Sequence, residues 1–170
     1  MTIKWILDER PLEDLGIHFD PAWAWPASSL HVVGEVAARA RRSPRRTRLL
    51  NMSDSGRSSI EVHDIKAPSA AAEFLYGHLR KDSSDVNEDV GEHASIAFCA
   101  IVEPDGVFIA DDKQASFLAL AELGPGRVAT AFDLWAHLRD QGLIGPAQFK
   151  ALCERTRKSA ALAAIPRRFV

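Results

Sequence analysis

The spacing of apolar and polar positions changes several times along this chain, and each change marks an element. Ile3-Lys4-Trp5-Ile6-Leu7 is a short run rich in β-branched and aromatic residues, which predicts a first strand ending at Asp8, just before Pro11 closes the segment. Leu12 to Ile17 reads as a short helix, and Trp23, Trp25 and Pro26 as a loop with aromatic anchors. Leu30, Val33, Val36 and Ala37 fall on one stripe, predicting a helix from Leu30 to Arg41 capped by Ser28 or Ser29, with Glu35 at the margin of its apolar face. Ile60 to Ile65 alternates at period two, as a strand with one covered face does, and places His63 and Asp64 at a surface or edge. A helix starting near Pro68-Ser69 buries Phe74, Leu75 and Leu79.

Ala94 to Val102 is apolar nearly all round and too long for a typical strand, so it predicts a buried helix entered at Gly91-Glu92. Glu103-Pro104-Asp105-Gly106 stops it, and Val107 to Ala110 follows as a buried strand ending in Asp111 and Asp112. Gln114 to Leu123 is helical, Arg127 to Thr130 a short strand, and Phe132, Leu134, Trp135 and Leu138 mark an amphipathic helix stopping at Gly142. Gly145-Pro146 opens a last helix, followed by a partly basic tail from Ala160. Two polar connections, Asn51 to Ser59 and Lys81 to Glu88, separate these units. Strands alternating with helices give βα units, hence an α/β, three-layer α/β/α arrangement with a mainly parallel central sheet.

Composition narrows the class. The 170 residues suit a single domain, and 46% hydrophobic content belongs to a globular chain. A net charge of −2 provides no global basic field, so a polyanion must meet a local patch. Cys99 and Cys153 offer neither a disulfide framework nor zinc-ligand spacing, which fits a reducing cytoplasm. The amino terminus lacks the pattern of a secretory signal, and no segment approaches the roughly 18 apolar residues of a membrane span, so a soluble protein without a membrane partner is expected.

Four acidic positions carry the candidate chemistry: Asp8 after the first strand, Glu35 on a helix, Glu92 at a helix start, and Asp111/Asp112 after a later strand. Each has a structural reading, since an acid in a first turn favours the helix dipole and Asp after a strand caps the next helix. In a parallel sheet, however, strand-end acids line the carboxyl edge, where ligands bind. Clustered carboxylates there would hold a cation or take up protons, and all-oxygen ligands suit Mg²⁺ or Mn²⁺. Two such ions about 3.5 to 4 Å apart suit phosphodiester hydrolysis. Arg39, Arg41, Arg42, Arg45, Arg46 and Arg48 form a basic block, either a solvated loop or a set of phosphate contacts.

Taken in order, WILDERPLEDL, HVVGEV, GEHASIAFCA, GVFIADDKQA and RVATAFDLWAHLRDQGLIGPAQF resemble the successive motifs of the PIN-domain nucleases, in the branch with a Gly-Glu pair at the third acid. The likeness covers most of the chain and is strongest from Asp89 to Phe149. It implies a PIN-like fold over residues 1–170 and metal-binding acids at Asp8, Glu35, Glu92 and either Asp111 or Asp112. It further implies a Mg²⁺- or Mn²⁺-dependent endoribonuclease acting on RNA, often the toxin of a toxin-antitoxin pair, often a homodimer, and silenced by an antitoxin peptide. Glu9-Arg10 departs from the hydroxyl residue common after the family's first acid, and Ala110 stands where many relatives have one. The departure at Arg10, whose charge opposes a metal site, favours an alternative: a catalytically impaired PIN-like module that binds nucleic acid or regulates. A phosphohydrolase with an Asp nucleophile is a third reading, weakened because no strand ends in the expected DxD spacing.

Overall fold

A computed structural model of the chain describes residues 3–18, 30–42, 49–50, 60–82, 89–110 and 112–159. The tryptophan loop, the Ser28 or Ser29 cap, Arg45, Arg46, Arg48, the Asn51 to Ser59 connection, most of Lys81 to Glu88, Asp111 and the tail from Ala160 lie outside the described residues.

The protein is α/β. Five strands, β1 (Trp5–Leu7), β2 (Leu30–Val33), β3 (Ile60–His63), β4 (Val107–Ile109) and β5 (Val128–Ala129), form one sheet of order β3-β2-β1-β4-β5. Every pairing is parallel. Seven helices accompany it among the described residues: α1 (Glu9–His18), α2 (Gly34–Ala40), α3 (Ala70–Phe74), α4 (Val90–Ala97), α5 (Lys113–Leu123), α6 (Ala131–Asp140) and α7 (Pro146–Ser159). β1, β2, β4 and β5 are buried at every position, so both sheet faces are covered, as parallel sheets require. Only β3, at an edge, alternates buried with accessible residues. One continuous apolar core runs from Trp5 to Leu152.

The helix predicted from Leu30 to Arg41 is corrected: its first four residues are β2, and the helix begins at Gly34. The i, i+3 stripe was ambiguous because Leu30-His31-Val32-Val33 is buried on every side, which erases strand alternation. Pairing with both β1 and β3 decides in favour of the strand. The correction moves Glu35 to the first turn after a strand, the same kind of place that Asp8 occupies. Pro11 does not close the first segment either. It sits in the first turn of α1, where a missing amide hydrogen leaves no helix bond unmade.

Two helices lengthen through a π-helical turn, α3 across Leu75–Leu79 and α4 across Phe98–Val102. The guanidinium of Arg127, just before β5, donates to the carbonyls of Cys99 and Glu103 (2.9 Å to the latter), tying the end of α4 to the start of β5. Thr130 and Asp133 start α6 reciprocally: the Thr130 amide and hydroxyl each donate to Asp133 Oδ2 at 2.9 Å. This fully buried acid therefore has a structural task. At the far end of the chain, Arg155 of α7 ties to Asp14 and Glu13 of α1, and Trp135 Nε1 donates to Thr156 Oγ1 at 2.9 Å. Among the described residues no helix is long and apolar enough to cross a membrane.

Candidate functional site

The strand order reverses direction between β1 and β4: from β1 the chain proceeds through β2 to β3, then crosses back to place β4 on the other side of β1. Such a switch point opens a crevice beyond the carboxyl ends of its two strands. Asp8 follows β1 directly, and Asp112 stands just past β4. Glu92 reaches the same place from the first turn of α4, which packs against both α2 and α5.

Asp8, Glu92 and Asp112 act on one another. Asp8 is 9% exposed, accepts a 2.7 Å hydrogen bond from the Glu9 amide, and is pushed up to about 6. Burial is the main cause. The negative fields of Glu9 and Asp112 add to it, while the Glu9 amide and Arg39 oppose it. Glu92 is pushed up to about 9, first by burial, then by its hydrogen bond to Asp112 and the charges of Asp8, Asp112 and Asp89. Asp112 moves the other way. Burial raises it, but the hydrogen bond with Glu92, those from the Ala115 and Gln114 amides, and the charge of Arg10 outweigh that. Glu92 therefore keeps a proton at neutral pH and shares it with an ionised Asp112, as like charges in one crevice require. Asp112 also caps α5, its Oδ1 accepting from Gln114 N at 2.7 Å and Ala115 N at 3.0 Å, so the capping role is real and coexists with membership of the cluster.

Glu35 lies on the same carboxyl edge, one strand over. Its carboxyl is raised by burial and by the charge of Asp64, against a hydrogen bond from its own backbone amide. Oε2 of Glu35 is buried and has no hydrogen-bond partner among the described residues. A Cβ on Gly34 would stand 2.4 Å from Asp64 Oδ1, so a larger residue there would displace the Asp64 carboxylate. Asp89, immediately before α4, holds a left-handed backbone (φ 52°), a conformation that Asp tolerates better than most residues.

Of the arginine block, Arg39 in the last turn of α2 is partly buried and its charge reaches Asp8, whereas Arg41 and Arg42 are exposed at the helix end. A second cluster went unrecognised in the sequence. His31 on β2 and Glu61 and His63 on β3 gather on one face of the sheet, with the two imidazoles 2.8 Å apart. The period-two spacing of Glu61 and His63 was visible, but His31 lay in the segment predicted helical.

Comparison of the chain with protein-family models, with curated proteins and with solved structures found no match.

Proposed function

We propose that the protein is a metal-dependent endoribonuclease of the PIN type, a toxin of a toxin-antitoxin pair, with its active centre at Asp8, Glu92 and Asp112 and with Glu35 beside them. The observation that carries this reading is the convergence of three carboxyl groups on the crevice between β1 and β4, close enough that Glu92 and Asp112 share a proton. The donor set is all oxygen, and Glu35 offers a buried, orphaned oxygen atom on the same edge, a combination that fits Mg²⁺ or Mn²⁺. When bound, such an ion supplies charge neutralisation at the phosphate and activation of the attacking water. The chain's own residues hold the site for it. The Glu9, Gln114 and Ala115 amides orient Asp8 and Asp112, and Glu92 releases a proton when a cation replaces it. Arg41 and Arg42, exposed at the end of α2, present positive charge for the RNA backbone.

A second reading, an impaired PIN-like module that binds RNA without cutting it, is favoured by Arg10, whose charge acts on Asp112. One experiment separates the two. Labelled single-stranded RNA is incubated with protein free of any antitoxin, with Mn²⁺ or with EDTA. Nuclease function requires Mn²⁺-dependent cleavage that falls by orders of magnitude in Glu92→Gln. RNA binding without cleavage in wild type establishes the module, and cleavage unchanged in Glu92→Gln removes this site from the chemistry.

A further inference from the structure

The parallel register between β2 and β3 sets His31 opposite Glu61, and His63 follows two residues later on the same strand, so all three side chains project from one face of the sheet. His31 Nδ1 and His63 Nε2 lie 2.8 Å apart, and Glu61 Oε2 is 3.7 Å from each. We propose that these three atoms form a binding site for one divalent transition-metal ion of the zinc class, with further coordination open to solvent.

The geometry needs little adjustment. Bonds of 2.0 to 2.2 Å in a tetrahedral arrangement set ligand atoms about 3.3 to 3.5 Å apart, so the nitrogens must part by roughly half an ångström and the carboxylate close by a few tenths. Two imidazoles and one carboxylate suit Zn²⁺, Co²⁺ or Ni²⁺, while Mg²⁺ prefers oxygen alone, so the site is chemically distinct from the acids at the carboxyl edge. Without metal the two rings share one hydrogen bond. For an ion to enter, the donating imidazole moves its proton to its other ring nitrogen, and no net charge is released.

The surroundings fix the rings and leave an entrance. His63 stacks on Phe98 of α4 at 4.6 Å between centroids and on His31 at 5.1 Å. The His31 side chain is 3% exposed, His63 29% and Glu61 45%, so an ion reaches the site from the edge of the sheet. A cavity of about 700 Å³ adjoins His63, lined by His63, Asp64, Ile65, Ser69, Phe98 and Ile101. Three protein ligands beside an accessible cavity is the pattern of an open zinc site, as opposed to a closed structural one.

The test is calorimetric titration of the EDTA-stripped, untagged full chain with Zn²⁺ in excess Mg²⁺, together with the visible spectrum on adding Co²⁺. The expected result is one Zn²⁺ per chain, undisturbed by Mg²⁺ and by Glu92→Gln, with a Co²⁺ spectrum of low coordination number. Glu61→Gln and His63→Ala should each weaken binding by at least about tenfold, the scale seen when even an outer partner of a metal site is lost. Glu61 is partly exposed, so Glu61→Gln is expected to fold, and an unchanged melting temperature in EDTA confirms it. Should His63→Ala unfold, Glu61→Gln decides alone. No stoichiometric Zn²⁺ binding, binding unaffected by Glu61→Gln, or binding lost in Glu92→Gln overturns the assignment.

Discussion

Glu92→Gln at varied pH tests the acidic crevice most directly, because the substitution matches the state in which Glu92 is held at neutral pH. With its carboxyl pushed up to about 9, wild-type Glu92 is protonated at pH 7, and a cation must displace that proton. A pH two units below the group's midpoint lowers metal affinity about 100-fold relative to alkaline conditions, and each step of one pH unit should change it about tenfold. Below pH 6 the slope should steepen further as Asp8, pushed up to about 6, also takes a proton. The Gln variant has nothing to release, so its metal binding should be weaker and flat between pH 6.5 and 8.5, a range set by about two units around neutrality. Stability has the opposite sign. A carboxyl raised above its unfolded value binds more protons when folded, so the metal-free wild type should lose stability as pH rises from about 4.5 toward 9. Gln should abolish that loss, so the metal-free variant should be more stable than wild type above about pH 4.5, by a margin that grows toward pH 9. Thermal melts with and without Mg²⁺ or Mn²⁺ read both effects. Metal at 100 times its dissociation constant adds about 2.7 kcal/mol, or about 5 to 10 °C for a chain of this size, and a 100-fold loss of affinity leaves about 1 °C. A metal-induced rise that is independent of pH in wild type, or that keeps its pH slope in Glu92→Gln, refutes the shared-proton account.

Replacing Arg41 and Arg42 together by Ala should weaken RNA binding and reduce the slope of log affinity against log salt by about two, while cleavage at saturating RNA largely survives; an unchanged slope places the phosphate contacts elsewhere. Gly106→Ala would set a Cβ 2.5 Å from Ile6 Cδ1 and 3.1 Å from the Glu103 carbonyl. It should destabilise by about 1 to 3 kcal/mol, read as a lower urea midpoint, and a neutral result would mean that β1 and the turn before β4 yield more easily than their packing indicates. Cys99 is fully buried and its thiol is pushed up to about 12, so a thiol reagent should label Cys153 in the native protein and Cys99 only on unfolding. Rapid labelling of both would show α4 opening locally.

What could be read from the chain was what is local. A strand followed by an acid was visible at Ile3 to Asp8 and at Val107 to Asp112, and the apolar stretch behind Glu92 announced α4, because propensity, turn residues and first-turn chemistry lie within a few positions of one another. Leu30 to Val33 was not decidable in this way. An apolar run buried on both faces loses its period, and its pairing with β1 and β3 depends on residues about 25 to 30 positions away. The same non-locality decided the sites. Glu92 shares a proton with Asp112 only because α4 packs on α5 at the switch between β1 and β4. His31 meets Glu61 and His63 only because two strands align in a register that the connection between them does not encode. Residue identity determined which groups carry charge and ligand atoms; the tertiary structure decided which of them meet, since burial and opposing fields arise only where distant segments pack.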